Sequence, residues 1–239
     1  ISMLENPKAL AKMGIASRDF VETQFDVHKV NESILNKINH ITTSKEKILL
    51  VASSCIFFSD ILSGQPKYLN NHFDVSLAAG DSVSIDKIVK NEDLHVDKIS
   101  MNRGISPILD IFSLVRAVTL ILKLKPNIVQ SFTPKAGFIF MIASWLCRTP
   151  VRIHTFTGLI FPTSGGFMKK VIMTTDKLLC FCAKYIVAEG LGVKNDLIKY
   201  KITKKEIEII GNGNVAGVNT TFYAPDVASK EDIDLPIHK

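Results

Sequence analysis

A lysine stands where a helix should begin. In Gln130-Ser-Phe-Thr-Pro-Lys-Ala-Gly137 the run 127–132 reads as a strand, Thr133 suits an N-cap, Pro134 suits the first helical position, and Lys135 follows in the first turn. The positive end of a helix disfavours a cation unless an anion offsets it, so this placement predicts a phosphate or carboxylate at Lys135. A solvated lysine is the competing reading. A second strand, 151–156, carries His154 near its end and continues into Thr157, Gly158 and a glycine-bearing loop. Open parallel sheets bind ligands in the crevice beyond the carboxyl ends of their strands, so both strand ends are candidates for one site. His154 could orient or polarise a ligand hydroxyl there, or serve only as a hydrogen-bonded structural residue.

Other motifs exclude more than they assign. The first strand leads into Ala52-Ser-Ser-Cys-Ile-Phe-Phe-Ser-Asp60 without a glycine, so the GxGxxG phosphate turn is missing and no nicotinamide or flavin enzyme is expected. Gly211-Asn-Gly-Asn-Val-Ala-Gly217 has the glycines but no amphipathic helix after it, which predicts a loop using positive φ. Cys55, Cys147, Cys180 and Cys182 lie in apolar surroundings without paired spacing. They read as reduced, buried thiols, and no metal site is legible.

These residues need elements to position them. Short β-branched runs at 48–52, 73–78, 95–99, 127–132, 151–156, 185–188 and 206–210 alternate with helical patterns at 60–70, 84–90, 107–123, 134–147, 167–183 and 192–201. Strands without a polar face, alternating with helices, predict an α/β fold: a Rossmann-like parallel sheet with helices on both faces. Residues 1–41 are helical and more polar, with Gly14 and Asp26 dividing them into three short helices expected to pack on that layer. The helix 107–123 has only a narrow polar stripe of Asp110, Ser113, Arg116, Thr119 and Lys123, which predicts burial between the sheet and the N-terminal helices.

The 239 residues are 46% hydrophobic and 22% charged, ordinary for a folded globular chain, and 29 basic against 23 acidic residues give a formal +6. That excess suits anionic ligands or lipid headgroups. Nucleic acid is not expected, because no basic stripe interleaves with aromatics. No apolar run reaches the roughly 18 residues of a spanning helix, and the first residues do not read as a signal peptide. A cytoplasmic protein, peripheral at the inner membrane, is therefore expected.

The segments Gln65-Pro-Lys-Tyr-Leu69, Met101-Asn-Arg-Gly-Ile-Ser-Pro107, Lys125 to Gly137, Thr155-Phe-Thr-Gly-Leu159, Ile186-Val-Ala-Glu189, and Gly217-Val-Asn with Phe222 and Pro225 occur in order. Together they resemble the N-terminal half of a bacterial family 4 glycosyltransferase, of the type that builds capsule, O-antigen or other lipid-linked glycans. Met3-Leu-Glu-Asn-Pro7, Met13-Gly14, Ser17-Arg18, Val21, Phe25 and Val30 resemble the closing helices of the same family, placed ahead of the domain they would finish. The resemblance thus implies one half of a GT-B fold in circularly permuted order. Residues 1–41 would be the displaced tail, 42–46 a linker, 47–226 the acceptor-side domain and 227–239 a residual interdomain linker. A second, donor-binding domain has no counterpart in this sequence.

The activity implied is retaining transfer of a sugar from a nucleotide-sugar donor to a lipid-linked or glycan acceptor, with no cofactor and no obligatory metal. Lys135, Arg103, Thr157 and Gly158 would bind the acceptor or its anion, Ser53, Ser54 and Glu189 would face the donor, and His154 would be the catalytic candidate. Many members have a histidine immediately before the glycine of the 155–158 motif, where this chain has Thr157. An anionic membrane is the further implied partner, with Lys123, Lys125, Arg148, Lys169 and Lys170 contributing. Two other readings stand beside this one. The chain could be a non-catalytic module, designed or partner-binding, or half of a nucleotide-sugar epimerase.

Overall fold

A computed structural model describes residues 7–39, 46–81, 84–101, 104 and 106–220. Seven parallel strands form one sheet in the order β3-β2-β1-β4-β5-β6-β7. They are β1 Lys47–Ala52, β2 Asp74–Ala79, β3 Val96–Lys98, β4 Ile128–Ser131, β5 Val151–Phe156, β6 Tyr185–Ala188 and β7 Ile207–Glu208. Alternate residues of the five inner strands feed two cores. On β1, Leu49 and Val51 join one, while Ile48, Leu50 and Ala52 join the other.

The helices divide accordingly. On the first face lie α5 (Pro107–Leu124), α6 (Pro134–Leu146), α7 (Gly166–Cys182) and α8 (Leu191–Lys199), which contribute Leu120, Phe140, Leu179 and Leu197 to the core. The second face carries a π-helical turn, Phe57–Ile61, with α3 (Gln65–Asn70) and α4 (Ile85–Glu92). The sequence pattern expects one helix over 60–70. Gly64, at φ 82°, breaks it in two, and the carboxylate of buried Glu92 accepts from Gly64 N–H (2.6 Å) and Lys67 N–H (3.0 Å), serving the N-terminal end of α3.

The N-terminal segment completes that second face. Among its described residues it forms two helices rather than three, α1 (Pro7–Gln24) and α2 (Val27–Asn39), because Gly14 is accommodated inside α1. Val30, Ile34 and Ile38, spaced by one helical turn, are buried against Ile128, Ile153 and Val187. The turn between the helices pairs with the glycine loop: Val27 N–H donates to Val218 O (2.9 Å) and Val218 N–H to Phe25 O (2.7 Å). Only α2 docks fully. On α1, Met13, Ile15 and Phe20 remain exposed.

The narrow polar stripe of α5 misleads in a similar way. Crossover from edge strand β3 to β4 carries α5 onto the face opposite α2, so it is not sandwiched between sheet and N-terminal helices. It buries Ser113, Ala117, Leu120 and Ile121, while Ile108 is 72% and Phe112 63% exposed.

Candidate functional site

Strand order reverses between β1 and β4, and the chain places hydroxyl groups at that switch point. Ser53 N–H donates to Thr133 Oγ1 (2.8 Å), the two hydroxyls lie 2.6 Å apart, and Ala136 N–H donates to Ser53 Oγ (3.3 Å). Thr133 occupies the N-cap position, yet its hydroxyl makes no cap bond. Ser53 caps α6 from the neighbouring strand end instead.

Further along the same edge, Thr157 Oγ1 donates to Phe132 O (3.2 Å). Glu189 follows at the end of β6, half-buried, with its carboxyl group raised above the usual range by desolvation. Gly213, at φ 97°, lets the glycine loop close on this corner. Asn214 N–H donates to Glu189 O (2.7 Å), and a Cβ on Gly213 would sit 2.7 Å from that oxygen. With strands about 4.8 Å apart, the row Ser53, Thr133, Thr157, Glu189 spans about 14 Å across four adjacent strands. Ser54 Oγ accepts from Ile56 N–H (3.3 Å), and Gly158 is exposed with open space around it.

Two expectations change. The anion expected at Lys135 is part of the chain itself. Lys135 Nζ meets the Asp110 carboxylate at 2.6 Å and donates to Gly104 O (2.9 Å), with the paired side chains only 14% and 15% exposed. In this structure Lys135 is therefore already ion-paired, and removing it would leave the Asp110 carboxylate without its cation.

His154, expected in the crevice beside Lys135, Thr157 and Gly158, is instead fully buried under α6 and α7. Its Nδ1 lies 2.8 Å from Ser131 Oγ, its ring meets Phe156 edge-on at 4.4 Å, and burial pushes its pKa down to about 3. Strand alternation explains the correction. His154 shares parity with Phe156, which faces the first core, so the ring points into packed protein rather than outward from the strand end. The imidazole is neutral and enclosed, unable to touch a ligand in the crevice. Arg103 lies outside the described residues.

A groove missing from the sequence-level reading lies on the first face. Its volume is about 410 Å³. Its floor is α6, through Pro134, Phe138 and Ile142; α5 forms one wall through Ile111 and Leu114, and α7 the other through Ile172, Thr175 and Asp176. Lys135 and Asp110 close the end nearest the crevice. Asp176 is 5% exposed, and desolvation raises its carboxyl pKa to about 7. Its spacing to Ile172 and Leu179, four before and three after, is the signal that places it on an apolar helix face.

All four cysteines are free, and burial pushes the Cys55 thiol up to about 11 and Cys180 to about 12. Among the described residues, no three His, Cys, Asp or Glu side chains gather as a metal site would require. No described helix is long and apolar enough to cross a membrane.

Fold and crevice together define a Rossmann-like α/β layer, the kind that makes up one half of a GT-B enzyme. The chain superposes on a glycosyltransferase from Rickettsia africae with a TM-score of 0.59 at 20% identity, over 79% of this chain and 48% of that one. It also superposes on Anabaena Alr3699/HepE, solved with UDP and glucose, with a TM-score of 0.52 at 14% identity, over 70% and 45%. In sequence it is 34% identical over 192 residues to the capsular polysaccharide biosynthesis glycosyltransferase CapM of Staphylococcus aureus, covering 80% of this chain and 47% of CapM. The chain thus spans about half the length of that curated relative. No family model matches it.

Proposed function

We propose that this chain forms the acceptor-side half of a glycosyltransferase that moves a sugar from a nucleotide-sugar donor to a lipid-linked or glycan acceptor in surface polysaccharide synthesis. The similarity to CapM over four-fifths of the chain carries this reading. Transfer on this account retains anomeric configuration. The crevice row divides into a donor-facing part at Ser53, Ser54 and Glu189 and an acceptor-facing part at Thr157 and Gly158. Lys135 meets the acceptor phosphate by exchanging its Asp110 partner for it, and Arg103 joins as a second cation. His154 acts as a positioning residue beneath the site. The segment α1–α2 corresponds to the closing helices of the GT-B architecture, carried at the front of the chain.

Helices α5, α6 and α7 together hold six basic residues, Arg116, Lys123, Lys135, Lys169, Lys170 and Lys177, against Asp110 and Asp176. Exposed Ile108, Phe112, Phe167 and Phe181 lie among them. Such a face suits an anionic lipid surface, each well-placed cation contributing about 1 kcal/mol. Because the chain spans 47% of CapM, the remaining half is assigned the donor nucleotide, and this chain alone is expected to turn over no donor.

Calorimetric titration tests the division of labour. A short-chain pyrophosphate-linked sugar should bind the purified chain at least about tenfold more tightly than a nucleotide sugar. Lys135→Ala should weaken that binding by about 10- to 100-fold, the loss of one charge-assisted contact. Preference for the nucleotide sugar, or equal acceptor affinity in the variant, would overturn it.

A further inference from the structure

We infer that the groove between α5, α6 and α7 is a binding site for one hydrocarbon chain of an anionic amphiphile, oriented with its phosphate at the Lys135 end and its tail along α6 toward Ile142. This rests on the acceptor-side reading and adds to it an occupant and a direction.

The groove is polar at one end and apolar along its length. Lys135 and the Gly104 carbonyl mark the end beside the crevice, whereas Phe138, Ile142, Leu114 and Ile172 line the remainder. From Lys135 to Ile142 the floor runs seven residues, about 10 Å of helix, which accommodates an extended chain of roughly eight carbons. A volume of about 410 Å³ lies within the range of small-molecule sites. Asp176 does not spoil the apolar wall, because burial keeps its carboxyl group partly protonated near neutrality. Charge on the surrounding helices favours an anionic headgroup. Of their six cations only Lys135 is paired with a carboxylate of the same three helices among the described contacts. An approaching phosphate takes the place of Asp110 on Lys135, leaving the tail to enter behind it.

Three probes separate tail from headgroup: decyl phosphate below its micelle concentration, ethyl phosphate, and inorganic phosphate. Each buried methylene adds about fourfold in affinity, so decyl phosphate should bind the wild-type chain at least about 100-fold more tightly than ethyl phosphate. Leu114→Trp or Ile172→Trp, each filling the groove from a different wall, should cut decyl phosphate affinity at least tenfold and leave ethyl phosphate affinity unchanged. Should both variants fail to fold, the wild-type protein still decides. A nitroxide at the tail end of decyl phosphate should broaden the methyl signals of Ile142 and Ile172 and spare those of Ile108 and Ile198, which lie exposed outside the groove. Equal affinity for decyl and ethyl phosphate would overturn the inference, as would broadening led by Ile108 or Ile198. So would dimerisation that the tryptophan variants abolish, which would make the groove an interface between copies. Ethyl phosphate binding with no chain-length preference would leave the acceptor-side reading standing while removing this one.

Discussion

Gly137→Ala should destabilise the protein by about 1–3 kcal/mol, although helix propensity alone would favour alanine by about 1 kcal/mol. A Cβ at this position would lie 2.4 Å from His154 Cε1, 2.6 Å from its Nδ1 and 2.7 Å from Leu179 Cδ1. The imidazole is fully buried and held by Ser131 and Phe156, so giving way to the new methyl group would disrupt both contacts. Either α6 lifts from the sheet or the ring leaves its site. Adding His154→Ala makes room, so the double variant should show a favourable coupling of about 0.5–3 kcal/mol in denaturant titrations. Strictly additive losses would mean that the two residues do not share this contact.

The second large effect is on the pH dependence of stability. Asp176, ordinarily near 3.8, titrates at about 7 in the folded chain, while His154, ordinarily near 6.5, titrates at about 3. Between about pH 4 and 6.5 the folded state holds a proton on Asp176 that the unfolded chain has released, so this group stabilises on the acid side and its contribution is lost as pH rises toward 7. Over the same window the unfolded chain protonates His154 and the folded state does not. That contribution is complete above about 6.5 and is lost as pH falls. The two slopes, each at most about 1.4 kcal/mol per pH unit, oppose one another. Asp176→Asn should therefore unmask a protein that weakens steeply from pH 6.5 to 4 and is more stable than wild type at pH 8. His154→Gln should show the opposite slope relative to wild type. Parallel profiles of the urea midpoint across the three proteins would refute the assignment.

Much of the fold is legible in residue pattern because both faces of the sheet are covered. The run 185–188 has no polar face to confuse the period, and it is a strand over those same residues. What escapes the pattern depends on contacts distant in sequence. Ser53 caps α6 from 83 residues away, and Asp110 supplies from 25 residues away the anion that Lys135 requires, so the need was readable at Lys135 and the partner was not. His154 shows the limit of reading a strand's end as a site, since alternation sends adjacent residues to opposite faces. The groove is harder still. It exists because α5 and α7 stand as walls beside α6, and no local stretch of sequence records that spacing.

The central claim, that this chain supplies one half of a sugar transferase, is tested most directly by transfer itself. The chain is combined with the separately produced carboxyl-terminal half of CapM, and also fused to it, and a radiolabelled nucleotide sugar is offered with a polyprenyl-pyrophosphate-linked acceptor. The account predicts labelled lipid when both halves are present and none with either alone. Robust transfer by this chain alone, or none from a fusion that is folded and binds both substrates, would contradict it.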